Sequence, residues 1–282
     1  MIKMLIAPKF GEHNTCIHPN VLQDFEGTLE IQMIDRDLSK SFDRCKTLIN
    51  SSELIEEVIL HMPFGLHLIE SFMMSAENHD KLIKFIIDCI RLGDSNHINI
   101  GILFHSEFGS ELFDNCGCEQ YVRYLHSLVE DTNVFFIFEN GMVNFNCYDP
   151  TIETSFEIMS RISDLDKIVY CLDVCHLKSH ENAVKNCIDI PKEILDKIHS
   201  IHFSATLNND GFLNKKETHS LCHSDLAGVI EELGYITNKV VDLNNTIIVV
   251  EVTEKDYNDR PDMRKELALL RSARKKLNLS NT

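Results

Sequence analysis

Six short apolar runs in this chain end on a residue that can bind a metal or move a proton. Val58-Ile59-Leu60 is followed by His61, and Ile102-Leu103-Phe104 by His105. Phe135-Phe136-Ile137-Phe138 runs into Glu139, with Asn140-Gly141 after it. Tyr170-Cys171-Leu172 meets Asp173, and Val174-Cys175-His176 follows at once. Ser200-Ile201 leads to His202, and Ile248-Val249-Val250 to Glu251. Imidazoles and carboxylates together make a mixed nitrogen and oxygen ligand set, suited to zinc, manganese or iron more than to calcium. A carboxylate beside apolar residues is costly to desolvate unless it shares a cation. No strand-end segment supplies a lysine or arginine beside these acids, so the expected cation is a divalent metal. Each residue alone has an ordinary structural reading, as a histidine bonded to a loop or an acid paired with a base. The signal is their recurrence at one kind of position.

Such residues act together only if the fold gathers them. The runs rich in Ile, Val, Leu and Phe alternate with stretches of helical period, the pattern of parallel βα units. Strands are expected at Met4–Pro8, Thr28–Ile34, Glu57–His61, Ile98–His105, Val134–Glu139, Ile168–Asp173, Ile198–Ser204 and Thr246–Glu251. Helices are expected at Asn78–Leu92, Glu119–Val129, Ile152–Ile162, Asp225–Leu233 and Arg260–Leu277, with Pro19–Phe25 a weaker candidate. In Asn78–Leu92 the residues Leu82, Phe85, Ile86, Cys89 and Ile90 form one stripe. Asp149 and Asp225 read as caps or turn residues before their helices. Eight βα units without a dividing linker predict a single (β/α)8 barrel domain over residues 1–282, a length close to the ~250 residues that such a barrel needs. No glycine-rich turn follows the first strand, which argues against a dinucleotide-binding sheet. In a barrel the strand ends converge on one mouth, where such enzymes keep their sites.

The bulk properties narrow the partners. A net charge of −17 disfavours nucleic acid, because duplex binding relies on Lys and Arg against phosphates. A local patch from Arg36, Lys40, Lys178, Lys215 and Lys216, or bound cations, can reverse the field over one face. No apolar stretch approaches the ~20 residues of a membrane span, and Met1–Phe10 reads as a strand rather than a signal peptide. A cytoplasmic location is the expectation. The ten cysteines contain no CxxC pair and read as reduced, mostly buried thiols.

Three segments carry a resemblance. Cys171-Leu172-Asp173-Val174-Cys175-His176-Leu177, Phe138-Glu139-Asn140 and Ile201-His202-Phe203 are similar to motifs of the xylose-isomerase-like barrel superfamily, closest to its endonuclease IV branch. The resemblance runs from Met4 to about Lys276. It implies that Glu139, Asp173, His202 and Glu251 are metal ligands. It further implies that His61, His105 and His176 extend the site to several ions. The branch's Asp-x-His pair after strand seven has Glu217-Thr218-His219 as its nearest counterpart, with His223 as a competitor. Phe64 stands where those enzymes place a tyrosine, and Arg36 lies in the loop that in them holds DNA, so both are candidate substrate contacts. That loop, Asp35 to Lys40, is short here and of mixed charge.

The first functional expectation is metal-assisted phosphodiester hydrolysis, with Glu139 and Glu251 as catalytic acids, zinc the first choice of metal, and abasic DNA among the substrates. The second is a sugar or polyol isomerase or epimerase with one manganese or similar ion, where Glu139 and Glu251 act as paired acid and base on a small polar metabolite. A third is a multi-iron oxidative enzyme acting on a peptide.

Overall fold

The structure is a computed structural model, and it describes residues 4–17, 21, 25–106, 117–141, 152–184, 186–205, 222–240, 246–252 and 260–280. Eight parallel strands close into a barrel in sequence order: β1 Leu5–Gly11, β2 Thr28–Gln32, β3 Glu57–His61, β4 Asn99–His105, β5 Val134–Glu139, β6 Ile168–Asp173, β7 Ile198–Phe203 and β8 Ile247–Val250. Around it lie α1 Leu38–Ile49, α2 Glu70–Met73, α3 Ala76–Asn96, α4 Cys118–Val129, α5 Ile152–Arg161, α6 Val174–Val184, α7 Lys192–Leu195, α8 Leu226–Lys239 and α9 Pro261–Ser280. The expected (β/α)8 barrel is the fold observed.

Three differences from the sequence reading bear on function. Strand β1 runs on to Gly11, which carries Lys9 into the ladder opposite Glu30. Helix α1 was not expected; Asp37 caps it by accepting from the Lys40 amide, and its stripe of Leu38, Phe42, Cys45 and Leu48 is buried. Helix α6 begins at Val174, directly after the last residue of β6. Asp225 does cap α8, accepting from the Gly228 amide. Asp149 and most of Pro19–Phe25 lie outside the described residues.

Side chains alternate in and out along a strand. One set of alternate positions, including Ile31, Leu60, Ile102, Phe136, Leu172 and Ile248, packs in the large core shared with the helices. The other set, Ala7, Ile59, Leu103, Ile137, Cys171, Ile247 and Val249, forms a separate cluster that fills the barrel. Gly101 makes room there: a Cβ on it would lie 2.7 Å from Ile137 Cδ1 and 3.0 Å from Phe135 Cζ. Below, Glu57 and His199 pair at 2.9 Å, next to a register shift between Tyr170 and Cys171. Among the described cysteines, Cys45, Cys89, Cys118, Cys171 and Cys175 are buried. No helix among the described residues is long and apolar enough to cross a membrane.

Candidate metal centre

Two residues beyond the last filler on each of six strands stands a polar side chain. Ala7 leads to Lys9, Ile59 to His61, Leu103 to His105, Ile137 to Glu139, Cys171 to Asp173 and Val249 to Glu251. Thr28 leads likewise to Glu30, and Ser200 to His202. The register sets His105 beside Glu139 and Asp173 beside His202. The closed ladder thus builds a ring of imidazoles and carboxylates at the C-terminal mouth.

Glu139 occupies the middle of that ring and is 1% exposed. Its Oε2 lies 3.5 Å from His105 Nε2 and 3.9 Å from His61 Nε2. Its Oε1 lies 3.3 Å from His202 Nδ1 and 3.5 Å from His176 Nδ1. His202 Nδ1 also sits 2.7 Å from Glu251 Oε2 and 3.6 Å from Asp173 Oδ2. Yet neither Glu139 Oε2 nor His202 Nδ1 meets the geometry of a hydrogen bond with any neighbour. Buried polar atoms are ordinarily satisfied, and ligand-type atoms that converge without hydrogen bonds are what a cation would satisfy. Among the described residues, five groups bring three donor atoms within 4.8 Å of one another, and together they include His61, His105, Glu139, Asp173, His176, His202 and Glu251.

His176 projects from the first turn of α6. Its amide donates to Asp173 Oδ1 at 2.7 Å, so the acid caps the helix that carries the histidine. Its Nδ1 donates to the Asn140 carbonyl at 2.8 Å, which makes Nε2 the lone-pair nitrogen. The Asn140 amide in turn bridges β5 to β6, accepting from the Asp173 amide and donating to the Asp173 carbonyl. His61 Nε2 and His105 Nε2 face each other at 2.9 Å.

Two residues of the mouth were not expected. Lys9 overturns the expectation that no basic side chain stands beside these acids. Its ammonium lies 2.5 Å from Glu251 Oε1, 2.8 Å from Glu30 Oε1 and 2.7 Å from His61 Nδ1. Glu30 is fully buried, and its carboxylate also accepts from His202 Nε2 at 2.8 Å. The signal that finds both is the period of two: continuing the inward positions from Ala7 and Thr28 reaches Lys9 and Glu30.

The electrostatics follow from burying opposite charges together. Burial works against the charge on Lys9, but Glu251, Glu30 and Glu139 outweigh it and raise the ammonium above its usual range. Burial likewise opposes ionisation of Glu30 and Glu139. His202 and Lys9 pull Glu30 well below the carboxylate range, and His202, His105 and His61 do so for Glu139. Burial and the neighbouring Lys9 charge bring His61 down to about 4, which leaves a neutral imidazole able to ligate. For His202, burial is outweighed by the Cys171 sulfur and by Glu30, Glu251 and Glu139, and the imidazole rises well above its usual range.

The remaining expected residues are placed unevenly. Phe64 is 81% exposed at the rim, stacked on His67 at 5.1 Å, and Arg36 Nε donates to the Phe64 carbonyl at 3.2 Å. His67 packs edge-on against His105 at 4.8 Å, which links this rim to the ring. Glu12 fixes the loop that carries Arg36, accepting from the Ile34 amide at 2.8 Å and from Arg44 at 2.6 Å. His223 is turned away: its Nδ1 bonds Glu266 of α9, and its ring stacks on Phe203. No metal-compatible group among the described residues includes it. Glu217 and His219 lie outside the described residues, as do Lys215 and Lys216. Lys178 is tied to Glu232 and Lys40 to Asp37, so neither is an unpaired charge at the rim.

No family model matches the chain. Over 147 residues, 50% of its length, it is 25% identical to apurinic-apyrimidinic endonuclease 1 of Plasmodium berghei (strain Anka), and the match spans 28% of that protein. In fold it is similar to a D-tagatose 3-epimerase-like protein, with a TM-score of 0.62, 17% identity, and 98% of this chain and 99% of the other covered. It is similar too to the 3-keto-D-glucoside 4-epimerase YcjR of E. coli, at TM-score 0.57 and 17% identity over 96% and 100% of the two chains. SacUVDE follows at TM-score 0.54 and 12% identity over 95% and 98%. The sequence resemblance to the xylose-isomerase-like barrels fits this company of an endonuclease and epimerases.

Proposed function

We propose that this chain is a divalent-metal-dependent phosphodiester hydrolase with a multinuclear centre at the barrel mouth. The observation that carries the reading is Glu139, a buried carboxylate with histidine nitrogens beside each of its two oxygens. His61 and His105 would hold an ion on one side of it. Asp173, His202 and Glu251 would hold another on the other side, with His176 extending the set. A centre of one ion gives His61 and His105 no comparable task. Bound ions would supply an acidified water and neutralise charge on the attacking and leaving oxygens.

The chain's own residues do the positioning. Asn140 locks the junction of β5 and β6, so Glu139 and Asp173 keep their spacing. Lys9 holds Glu251 at the open edge of the ring. The exposed Phe64 ring and the Arg36 guanidinium offer a face for a base or sugar and a charge for a phosphate. The endonuclease relative supports a phosphodiester substrate, abasic DNA included.

A second reading is a sugar or polyol epimerase with one ion, in which Glu139 and Glu251 exchange protons with a carbonyl compound. It is favoured by the ties of Lys178 and Lys40 to acids, which weaken the rim as a polyanion site. Metal analysis of the purified protein, beside cleavage of an abasic oligonucleotide, separates the two. We expect more than one ion per chain, strand cleavage, and loss of both in Asp173→Ala while the barrel still folds. A single ion per chain without cleavage, or full occupancy in Asp173→Ala, overturns the hydrolase.

A further inference from the structure

Glu30 touches both halves of the ring from beneath, and resting on the metal reading above, we propose that it is a positioning residue that couples the two metal positions. Its two oxygens reach different histidines: Oε1 lies 3.0 Å from His61 Nδ1, and Oε2 lies 2.8 Å from His202 Nε2. An ionised carboxylate only accepts hydrogen bonds, so each of those nitrogens must donate to it. A neutral imidazole that donates through one nitrogen presents a lone pair on the other. With one nitrogen of each ring committed to Glu30, the nitrogen left to meet a cation is Nε2 of His61 and Nδ1 of His202. These are the atoms that flank the two oxygens of Glu139. One buried acid thus sets the tautomer of a ligand on each side of the bridging acid.

Lys9 gives the arrangement a second state. Its ammonium can only donate, and it lies 2.7 Å from the same His61 Nδ1. When Lys9 donates there, His61 carries its proton on Nε2 and points it at His105. A cation arriving at Nε2 requires the opposite tautomer, in which Nδ1 donates to Glu30. The ammonium also occupies the space among Glu30, His61 and Glu251, so that Glu30 is kept as a hydrogen-bond acceptor and not a ligand. Filling the His61 side therefore engages Glu30, and an engaged Glu30 fixes His202 for the other ion.

Partners of metal-bound histidines commonly carry ~10–100-fold in metal affinity. The test is a zinc titration of the metal-free full chain in competition with a chromophoric chelator, with nitrogen NMR of the histidines as a second readout. In Glu30→Ala both binding steps should weaken by about that factor. Glu30→Gln keeps the shape, but its amide accepts through one atom and donates through the other. It should spare one position and weaken the other, so that two steps that overlap in the wild type separate, with one histidine shifted to the other tautomer. Unchanged zinc affinity in Glu30→Ala, or equal weakening of both steps in Glu30→Gln as simple loosening of the core would give, overturns the coupling alone. Uptake of no more than one ion by the wild type overturns the multinuclear reading and the coupling with it.

Discussion

The floor and the mouth of this barrel are built by the same strands with the same alternation, and they lie about four residues of rise apart, some 13 Å. At the floor, Leu5, Phe135 and Val169 pack against Ala7, Ile137 and Cys171, and the polar content is the pair of Glu57 and His199. At the mouth, among the described residues, Glu30, Glu139, Asp173 and Glu251 gather around one fixed cation, Lys9, and a set of imidazoles. The floor is closed by volume: Gly101 is there because Phe135 and Ile137 fill its space. The mouth is closed by charge, and its acids outnumber its permanent base. A layer that is stable by packing therefore supports a layer that is stable only when its charges are balanced.

The largest test of that contrast is Lys9→Met. Removing one partner of a buried ion pair costs about 3–5 kcal/mol, because the acids left behind lack compensation. We expect the metal-free variant to unfold that much more easily in urea, and the Lys9→Met, Glu30→Gln double variant to recover much of the loss. A loss below about 1 kcal/mol, as for an exposed pair, would mean that Lys9 does not hold the mouth together. Gly101→Ala probes the floor. The added methyl meets Ile137 and Phe135 and should cost about 1–3 kcal/mol. Metal uptake should stay at the wild-type level, and a change in it would show that the layers are not independent.

The smallest test lies outside both layers. Burial disfavours a charge on His223, but Glu232 and Glu266 raise its imidazole to about 9. The folded value is the higher one, so the stabilisation is complete below the unfolded value of about 6.5 and is lost as pH rises through about 9. Discounted for solvent screening, the expected fall is about 1 kcal/mol. Stability measured between these pH values should fall in the wild type and run flatter in His223→Gln. Equal slopes would detach His223 from Glu266 in solution.

Much of the barrel could be read from the chain because apolar strand runs with a polar last residue are a local pattern. Val58 to His61 or Phe135 to Glu139 announces both a strand and its end. Lys9 and Glu30 could not be read in that way. The expected β1 stopped at Pro8, since a proline followed by Lys and Phe looks like a strand terminus, and Glu30 lies between apolar residues in mid-strand. The period of two reaches both only when it is carried past Pro8 and through the apolar run around Glu30, and the ladder that pairs Lys9 with Glu30 shows that it does run on. Helix α1 was hidden for a related reason: Asp35 to Lys40 is charged and reads as a loop, although Asp37 is the cap that starts a buried stripe. His223 was a reasonable competitor by spacing, and it is the Glu266 side chain of a distant helix that claims it.

The junction of β6 and α6 has a further consequence. Asp173 ends the strand, Val174 starts the helix, and the Asp173 carboxylate is hydrogen-bonded to the helix it precedes. At this point of the rim there is no connecting segment that could be lengthened, shortened or exchanged without moving Asp173 and His176 themselves. Even glutamate in place of Asp173 would carry its carboxylate a methylene further from the His176 amide. Selection acting on substrate preference is thus left other strand-to-helix connections, among them 33–37 and 62–69, as its raw material. In a lineage of such barrels, this corner should drift least and those connections most, so that inherited chemistry and acquired preference are written in separate parts of one rim.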